Sequence, residues 1–462
     1  MKKAQLVFVP APAMGHLVSA VETAKLLLSR CHSLSISVLI LNHSIVPSKV
    51  HSYVESQIAS SSNRLRFIYL RKDETGISSF SSLIEKQKPH VKETVMKITE
   101  SGSSVESPRL VGFIVDMFFT AMIDVANEFG VPSYIFYTSG AAFLNFMLHV
   151  QKIHDEENFN PIEFNASDGE LQVPGLVNAF PAKAMPTEIL SKEWFPPLLE
   201  NTRRYGEAKG VIVNTFFELE SHAIESLKNP PIYPVGPILD VRSDGRNTNQ
   251  EIMQWLDDQP PSSVVFLCFG SSGSFSKDQV KEIACALENS GHRFLWSLRR
   301  PPAPGFLESP SDYEDLQEDL PEGFLERTSG IGKVIGWAPQ VAVLAHPATG
   351  GFVSHSGWNS ILESIWFGVP VATWPMYAEQ QFNAFQMVIE LGLAVEIKMD
   401  YRNDSGEIVK CDQIERGIRC LMKHDSDRRK KVKEMSEKSR RALMEGGSSY
   451  CWLDNLIKDM MK

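Results

Sequence analysis

Between positions 337 and 380 the chain carries tryptophan, histidine, asparagine, serine, glutamate and glutamine side chains and not one lysine or arginine. Those types can dress a base, a ribose, a diphosphate and a hexose in turn. Trp337 offers a flat face for a pyrimidine, and stacking a base on an aromatic ring contributes roughly 1–3 kcal/mol. The Glu363 carboxylate can accept hydrogen bonds from both hydroxyls of a ribose diol, and Glu379 and Gln380 can do the same for a sugar ring. A diphosphate with no cation beside it needs another source of positive potential, and local structure supplies one. Positions 350–354 read as a short buried strand, and Ile361, Leu362, Ile365, Trp366 and Val369 fall on one helical face, so 354–360 is the turn between them. A helix therefore begins near Asn359. Its first backbone N–H groups lack intrahelical partners and its dipole places partial positive charge there. His355, Asn359 and Ser360 would add side-chain donors.

The whole segment resembles, almost position for position, the signature of plant family 1 uridine-diphosphate glycosyltransferases, the secondary-product type with the GT-B fold. Its landmarks are Trp337-Ala338-Pro339-Gln340, His346-Pro347, Gly351-Phe352, His355-Ser356-Gly357-Trp358-Asn359-Ser360, Glu363, Gly368-Val369-Pro370, Trp374-Pro375 and Glu379-Gln380. The resemblance implies that Trp337 stacks on uracil, that Ala338 and Gln340 complete the base and ribose contacts, and that Glu363 holds the ribose hydroxyls. It gives the diphosphate to His355, Gly357, Asn359 and Ser360, and the hexose to Trp358, Glu379 and Gln380. A closing Gln accompanies glucose donors in this family, so Gln380 favours UDP-glucose. The sequence departs from the family at Ser356, usually Cys, and at Glu379, more often Asp.

Two further segments extend the likeness. An apolar run at 5–10, a turn-like 11–15 and an amphipathic helix opened by His16 form a strand, loop and helix, and a second apolar run at 110–115 ends in Asp116. Ligands in doubly wound sheets sit at the carboxyl ends of such strands. In the family the early Gly-His, here Gly15-His16, supplies the catalytic base, and the Asp after the later strand, here Asp116, orients it. A third run, 264–269, leads into Gly270-Ser271-Ser272-Gly273, whose backbone N–H groups can approach a phosphate. Gly273 stands where Ser or Thr often contributes a hydroxyl. The mechanism implied is attack of an acceptor hydroxyl on the anomeric carbon with His16 taking the proton, inversion, and departure of UDP, with no metal and no cofactor beyond the co-substrate. Thr138 matches a residue that reaches the sugar 6-hydroxyl. Met14, Phe118, Phe119, Phe143 and Phe146, at or after strand ends of the acceptor half, are the candidates for an apolar acceptor pocket. Flavonoids, other phenolics or triterpenoids are the acceptors implied.

Composition bounds the rest. At 462 residues with 43% hydrophobic content, the chain accommodates two lobes with sizeable cores. A net charge of −10 argues against nucleic acid or an anionic membrane surface. Apolar runs near 5–10, 35–41, 66–70, 110–115, 133–137, 211–214, 264–269, 292–298, 333–335, 350–354 and 370–373 alternate with helical stretches, which predicts two doubly wound parallel sheets facing a central cleft. The organisation expected is an acceptor lobe over 1–239, a linker over 240–250, a UDP-sugar lobe over 251–445 and a last helix, 446–462, which in the GT-B fold returns to the first lobe. Positions 302–318, rich in Pro, Ser and acid, are expected to form a loose loop. The apolar start is broken by Pro10, Pro12 and His16 and reads as strand one, not a leader, and no stretch reads as a membrane span. The six cysteines show no CxxC spacing, which predicts reduced thiols in a cytoplasmic protein; a monomer is expected. His346 and His355 have no zinc spacing, so no metal is expected. Two rivals share parts of this pattern. A nicotinamide dehydrogenase needs a glycine fingerprint and a later acid that neither half shows, and a non-catalytic nucleotide-sugar binder has no use for His16 and Asp116.

Overall fold

The computed structural model describes residues 3–44, 46–72, 80–100, 108–241, 250–302 and 310–462. Fifteen strands lie among them: β1 Ala4–Val9, β2 Leu34–Ile40, β3 Leu65–Tyr69, β4 Arg109–Asp116, β5 Ser133–Tyr137, β6 Glu170–Leu171, β7 Phe180–Pro181, β8 Gly210–Val213, β9 Ile232–Pro234, β10 Val264–Cys268, β11 Arg293–Ser297, β12 Gly332–Ile335, β13 Thr349–Ser354, β14 Val371–Thr373 and β15 Ala394–Glu396. The eleven apolar runs of the sequence all become strands, most within a residue of the expected ends. β6, β7, β9 and β15 were not foreseen. β6 and β7 are two residues each; β9 and β15 are three residues long and lie at sheet edges, and β9 contains Pro234, tolerated at an edge because no neighbour needs its N–H.

The strands form two parallel sheets, in the orders β3-β2-β1-β4-β5-β8-β9 and β12-β11-β10-β13-β14-β15, with β6 and β7 as a separate antiparallel pair. In each sheet the chain starts in the middle, runs to one edge, and then crosses back to the other side. The reversal falls between β1 and β4 in the first sheet and between β10 and β13 in the second. Such switch points leave a crevice outside the carboxyl ends of the strands, where no connecting helix can cover them. Both central strands are buried throughout, as strands with helices on either face must be.

The last helix, Ser448–Met461, lies on the first lobe. Leu453, Leu456 and Met460 enter the core of that lobe, Tyr233 Oη donates to Asp459 at 2.6 Å, and Arg30 pairs with Asp454 at 2.6 Å. Each of the three apolar side chains contributes roughly 1.5–3 kcal/mol on burial. The expected linker lies largely outside the described residues, as does most of the first half of 302–318. The remainder of that segment is anchored: Ser311 bridges Arg300, Asp312 pairs with Arg299, and Tyr313 donates to Asp319.

One expectation about the cysteines is corrected. Cys31, Cys268, Cys420 and Cys451 are free thiols, but Cys285 and Cys411 form a disulfide with Cα atoms 5.8 Å apart. The two lie 126 positions apart, and only the side-by-side packing of helices Lys277–Ser290 and Cys411–Leu421 brings them together. Among the described residues no helix is long and apolar enough to cross a membrane.

Candidate active site

β1 carries the chain to the carboxyl edge of the first sheet, where it turns into the helix Met14–Arg30 with His16 in its first turn. The neighbouring β4 ends in Asp116. Adjacent strands at the switch point therefore bring the two side chains into contact: His16 Nδ1 lies 2.8 Å from Asp116 Oδ2. The other Asp116 oxygen accepts the Phe118 amide at 3.0 Å, which fixes the carboxylate. An ionised carboxylate only accepts, so it selects the tautomer with the proton on Nδ1 and leaves Nε2 with a lone pair. Burial opposes a charge on His16, but the attraction and hydrogen bond of Asp116 outweigh it, and the imidazole pKa stands above its usual 6.5. Thr138 Oγ1 lies 3.3 Å from the same Nδ1, and the Phe118 ring centroid is 5.2 Å from that of the imidazole.

The second corner has the same origin. β10 runs into the loop 270–273, and β13 into the turn that starts the helix Trp358–Phe367, with Gly357 as N-cap. The turn at 357 places the N–H groups of Trp358, Asn359 and Ser360 at the helix start, one position earlier than the sequence suggests. His355 is buried between the two loops so closely that a Cβ at Gly270 or at Gly357 would sit 2.6 Å from its Nε2. Gly270 also has φ +74°, a second reason for glycine there. Burial alone pushes the His355 pKa down to about 4, and among the described residues its Nδ1 has no partner. A Cβ at Gly273 would lie 2.2 Å from the Phe269 carbonyl, so the path of this loop itself excludes the hydroxyl side chain the family often has there. Ser271 and Ser272 lie in that loop, and the Ser272 side chain meets the Tyr377 hydroxyl.

Around the helix start the polar side chains hold one another. Gln340 donates through Nε2 to Glu363 at 2.7 Å and to Ser360 at 2.9 Å, and burial pushes the Glu363 pKa up to about 7. Ala338 is buried, while Trp337 is 52% exposed and presents its indole to solvent. Gln380 is buried, its Oε1 accepting from Met376 and Tyr377 amides at 2.9 and 3.1 Å. Glu379 accepts from Ser139 of the first lobe at 3.4 Å and from Asn383 at 3.3 Å.

The two corners face each other. Asn359 Nδ2 donates to the Gly15 carbonyl at 3.1 Å, and Asn359 Oδ1 accepts from Asn214 at 3.4 Å and Ser19 at 3.5 Å. Expected on the diphosphate, the Asn359 amide thus also ties the helix start to the residue preceding His16. Trp358 departs further from expectation. Its indole is 2% exposed, donates to the Asn214 carbonyl at 2.7 Å and packs where a Cβ on Gly140 would touch it, so it cements the lobes and leaves only its backbone N–H for a ligand.

Beside His16 lies a cavity with polar groups from Thr138, Ser139, Glu188 and Glu379 and an apolar wall that includes Met117, Phe118, Phe143, Met147, Ile189 and Leu198. Of the five apolar candidates, Phe118 and Phe143 line it. Met14 packs against the first core, Phe119 is 1% exposed inside it, and Phe146 is enclosed by Phe143, Phe180 and Phe382. These three are not among its lining residues and pack as core does, because strand-end position does not reveal which way a side chain turns. Sequence reasoning also missed Glu188, on the four-residue helix Thr187–Leu190 where no periodicity signals a site, and Arg299, whose guanidinium lies 5.1 Å from the Trp337 ring centroid. Arg299 had a signal: it follows β11 at the carboxyl edge of the sheet.

Comparison with known proteins agrees with this layout. A family model described as UDP-glucoronosyl and UDP-glucosyl transferase matches residues 231–406. The chain is 93% identical over 449 residues, 97% of its own length and 100% of the relative's, to anthocyanidin 3-O-glucosyltransferase 1 of Manihot esculenta. It is 54% identical to UDP-glycosyltransferase 71A15 of Malus domestica, with 99% of each chain covered. Among solved structures, Medicago truncatula UGT71G1 complexed with UDP-glucose superposes with a TM-score of 0.87 at 41% identity, covering 100% of this chain and 99% of that one. A transferase from Siraitia grosvenorii in complex with UDP gives 0.88 at 47% identity, with both chains fully covered. The chain belongs to the plant UDP-glycosyltransferases and has their two-sheet GT-B fold.

Proposed function

We propose that this enzyme is an inverting, UDP-glucose-dependent O-glucosyltransferase that acts on hydroxyl groups of small lipophilic plant metabolites, flavonoids foremost. The observation that carries the reading is the Asn359–Gly15 contact, because it sets the free N–H groups of the donor helix beside the loop that presents His16. The names of the relatives, anthocyanidin and flavonoid 3-O-glucosyltransferases, support the acceptor class.

The chemistry follows from the parts. UDP-glucose lies with uracil on Trp337, its ribose at Glu363 and its diphosphate against His355, the loop 270–273 and the helix start at Trp358–Ser360. The hexose reaches Glu379, Gln380 and Thr138. His16 Nε2 takes the proton of an acceptor hydroxyl while that oxygen forms a bond to the anomeric carbon. The bond from that carbon to the diphosphate oxygen breaks, and the electron pair leaves with UDP toward the positive end of the helix. Asp116 stabilises the imidazolium that results, and attack opposite the leaving group converts α-linked glucose into a β-glucoside. Backbone N–H donors and a neutral His355 carry the diphosphate, so the step as written uses no metal.

UDP release from UDP-glucose in the presence of quercetin tests the reading, with the product anomer assigned by proton NMR. The expected result is acceptor-dependent release and a β-glucoside. Absence of release across a panel of phenols and terpenoid alcohols, with UDP still bound, would instead make the chain a nucleotide-sugar binder.

A further inference from the structure

Glu188 belongs to none of the elements that hold UDP or orient His16, yet it lines the same cavity as the imidazole. Every other polar side chain on that wall has a partner. Thr138 meets His16, Ser139 donates to Glu379, Glu379 also accepts from Asn383, and Tyr205 donates to the Met117 carbonyl at 3.2 Å. Glu188 Oε2 is buried and has none among the described residues. Among the described residues no lysine or arginine lines the cavity to pair with it. An acceptor atom buried without a donor is costly, and a ligand that brings the donor recovers that cost. The short helix that carries Glu188 is tied to the second lobe: the preceding Thr187 hydroxyl accepts from Gln381 at 3.1 Å. Burial pushes the Glu188 pKa up to about 7, with Glu379 and Asp404 adding to the rise and the backbone amides of Ala378 and Glu188 opposing it.

We propose that Glu188 is a specificity-determining residue for the acceptor, its free oxygen accepting a hydrogen bond from a second hydroxyl of a molecule whose reacting hydroxyl lies at His16. The inference rests on the function proposed above and narrows it, to flat, largely apolar acceptors that carry at least two hydroxyl groups. The rest of the wall, with Phe118, Phe143, Met147, Ile189 and Leu198, suits the apolar body of such a molecule. A site built around a hydrogen bond rejects the analogue lacking that hydroxyl more strongly than an apolar pocket rejects a missing methylene.

The test compares kcat/KM for quercetin with that for 3-hydroxyflavone, which shares its 3-hydroxyl and lacks the other four. Wild type should favour quercetin, and Glu188→Leu should lower the ratio about tenfold by loss of the quercetin term alone. Glu188→Gln, which keeps an accepting oxygen, should hold the ratio within about twofold of wild type. The KM for UDP-glucose should stay the same in both variants. An unchanged ratio in Glu188→Leu, an equal fall for both acceptors, or a raised UDP-glucose KM would each overturn the assignment, the last by placing Glu188 at the hexose. If the leucine variant shows no cooperative melting transition, Glu188→Asp decides on the same ratio, which should fall as the oxygen withdraws and would contradict the proposal if it did not. Wild type that turns over neither flavonol, with UDP still bound, refutes the function itself and this inference with it, a result distinct from a wild type that turns over both with no dependence on Glu188.

Discussion

A half-buried and a buried histidine face one cleft, and their neighbours give them opposite characters. His16 has a carboxylate at 2.8 Å, so its imidazolium is stabilised and its pKa rises above 6.5. His355 lies among glycine backbone with no carboxylate against it among the described residues, and burial drives its pKa down to about 4. At neutral pH the first can accept a proton in a reaction and the second remains an uncharged hydrogen-bonding group. Residue type announces neither role; the partner does. In the proposed function the same contrast separates the lobes, the first supplying the proton acceptor and the second the groups that position the nucleotide.

If that division is right, substitutions in the first lobe should act on rate and those in the second on affinity. The largest effect is expected from His16→Ala, which removes the base: kcat should fall about 10²–10⁴-fold while the Kd for UDP, measured by calorimetry, stays within about twofold. A matching loss of UDP binding would break the comparison. Trp337→Ala comes next, weakening UDP by roughly 1–3 kcal/mol, or about 5- to 150-fold, in the same titration. Since Arg299 lies over the Trp337 ring, a smaller loss would mean that the guanidinium takes over part of the stacking surface. Smaller still, Glu379→Ala and Gln380→Ala should raise the KM for UDP-glucose about three- to tenfold and leave UDP affinity largely intact. Equal loss of UDP binding would mean that the hexose lies elsewhere. Gln380→Ala also releases the Met376 and Tyr377 amides, so a drop in melting temperature should accompany it and not Glu379→Ala.

Much of this was legible before any coordinates. Central strands of parallel sheets are apolar on both faces, so β1, β4, β10 and β13 stand out in the sequence, and the residues that follow them occupy the switch points. What eluded the sequence is what depends on side-chain direction or distant packing. Trp358 lies within the nucleotide segment, yet its indole turns between the lobes because Gly140 leaves room for it. Cys285 and Cys411 meet only through two packed helices. Phe146 and Phe143 are three positions apart on one helix, and only Phe143 reaches the cavity. Glu188 follows Pro186 on a helix too short for any periodic signal.

The pH dependence of kcat/KM for wild type and Asp116→Asn tests the central claim most directly. A base must be deprotonated to act, so the wild-type rate should rise with pH through an apparent pKa above 6.5, the raised value that Asp116 confers. With asparagine the stabilised imidazolium is lost, so that limb should move to lower pH while the plateau falls at least about tenfold. A limb that stays in place, with the plateau unchanged, would contradict the pairing of His16 with Asp116 as the source of the base.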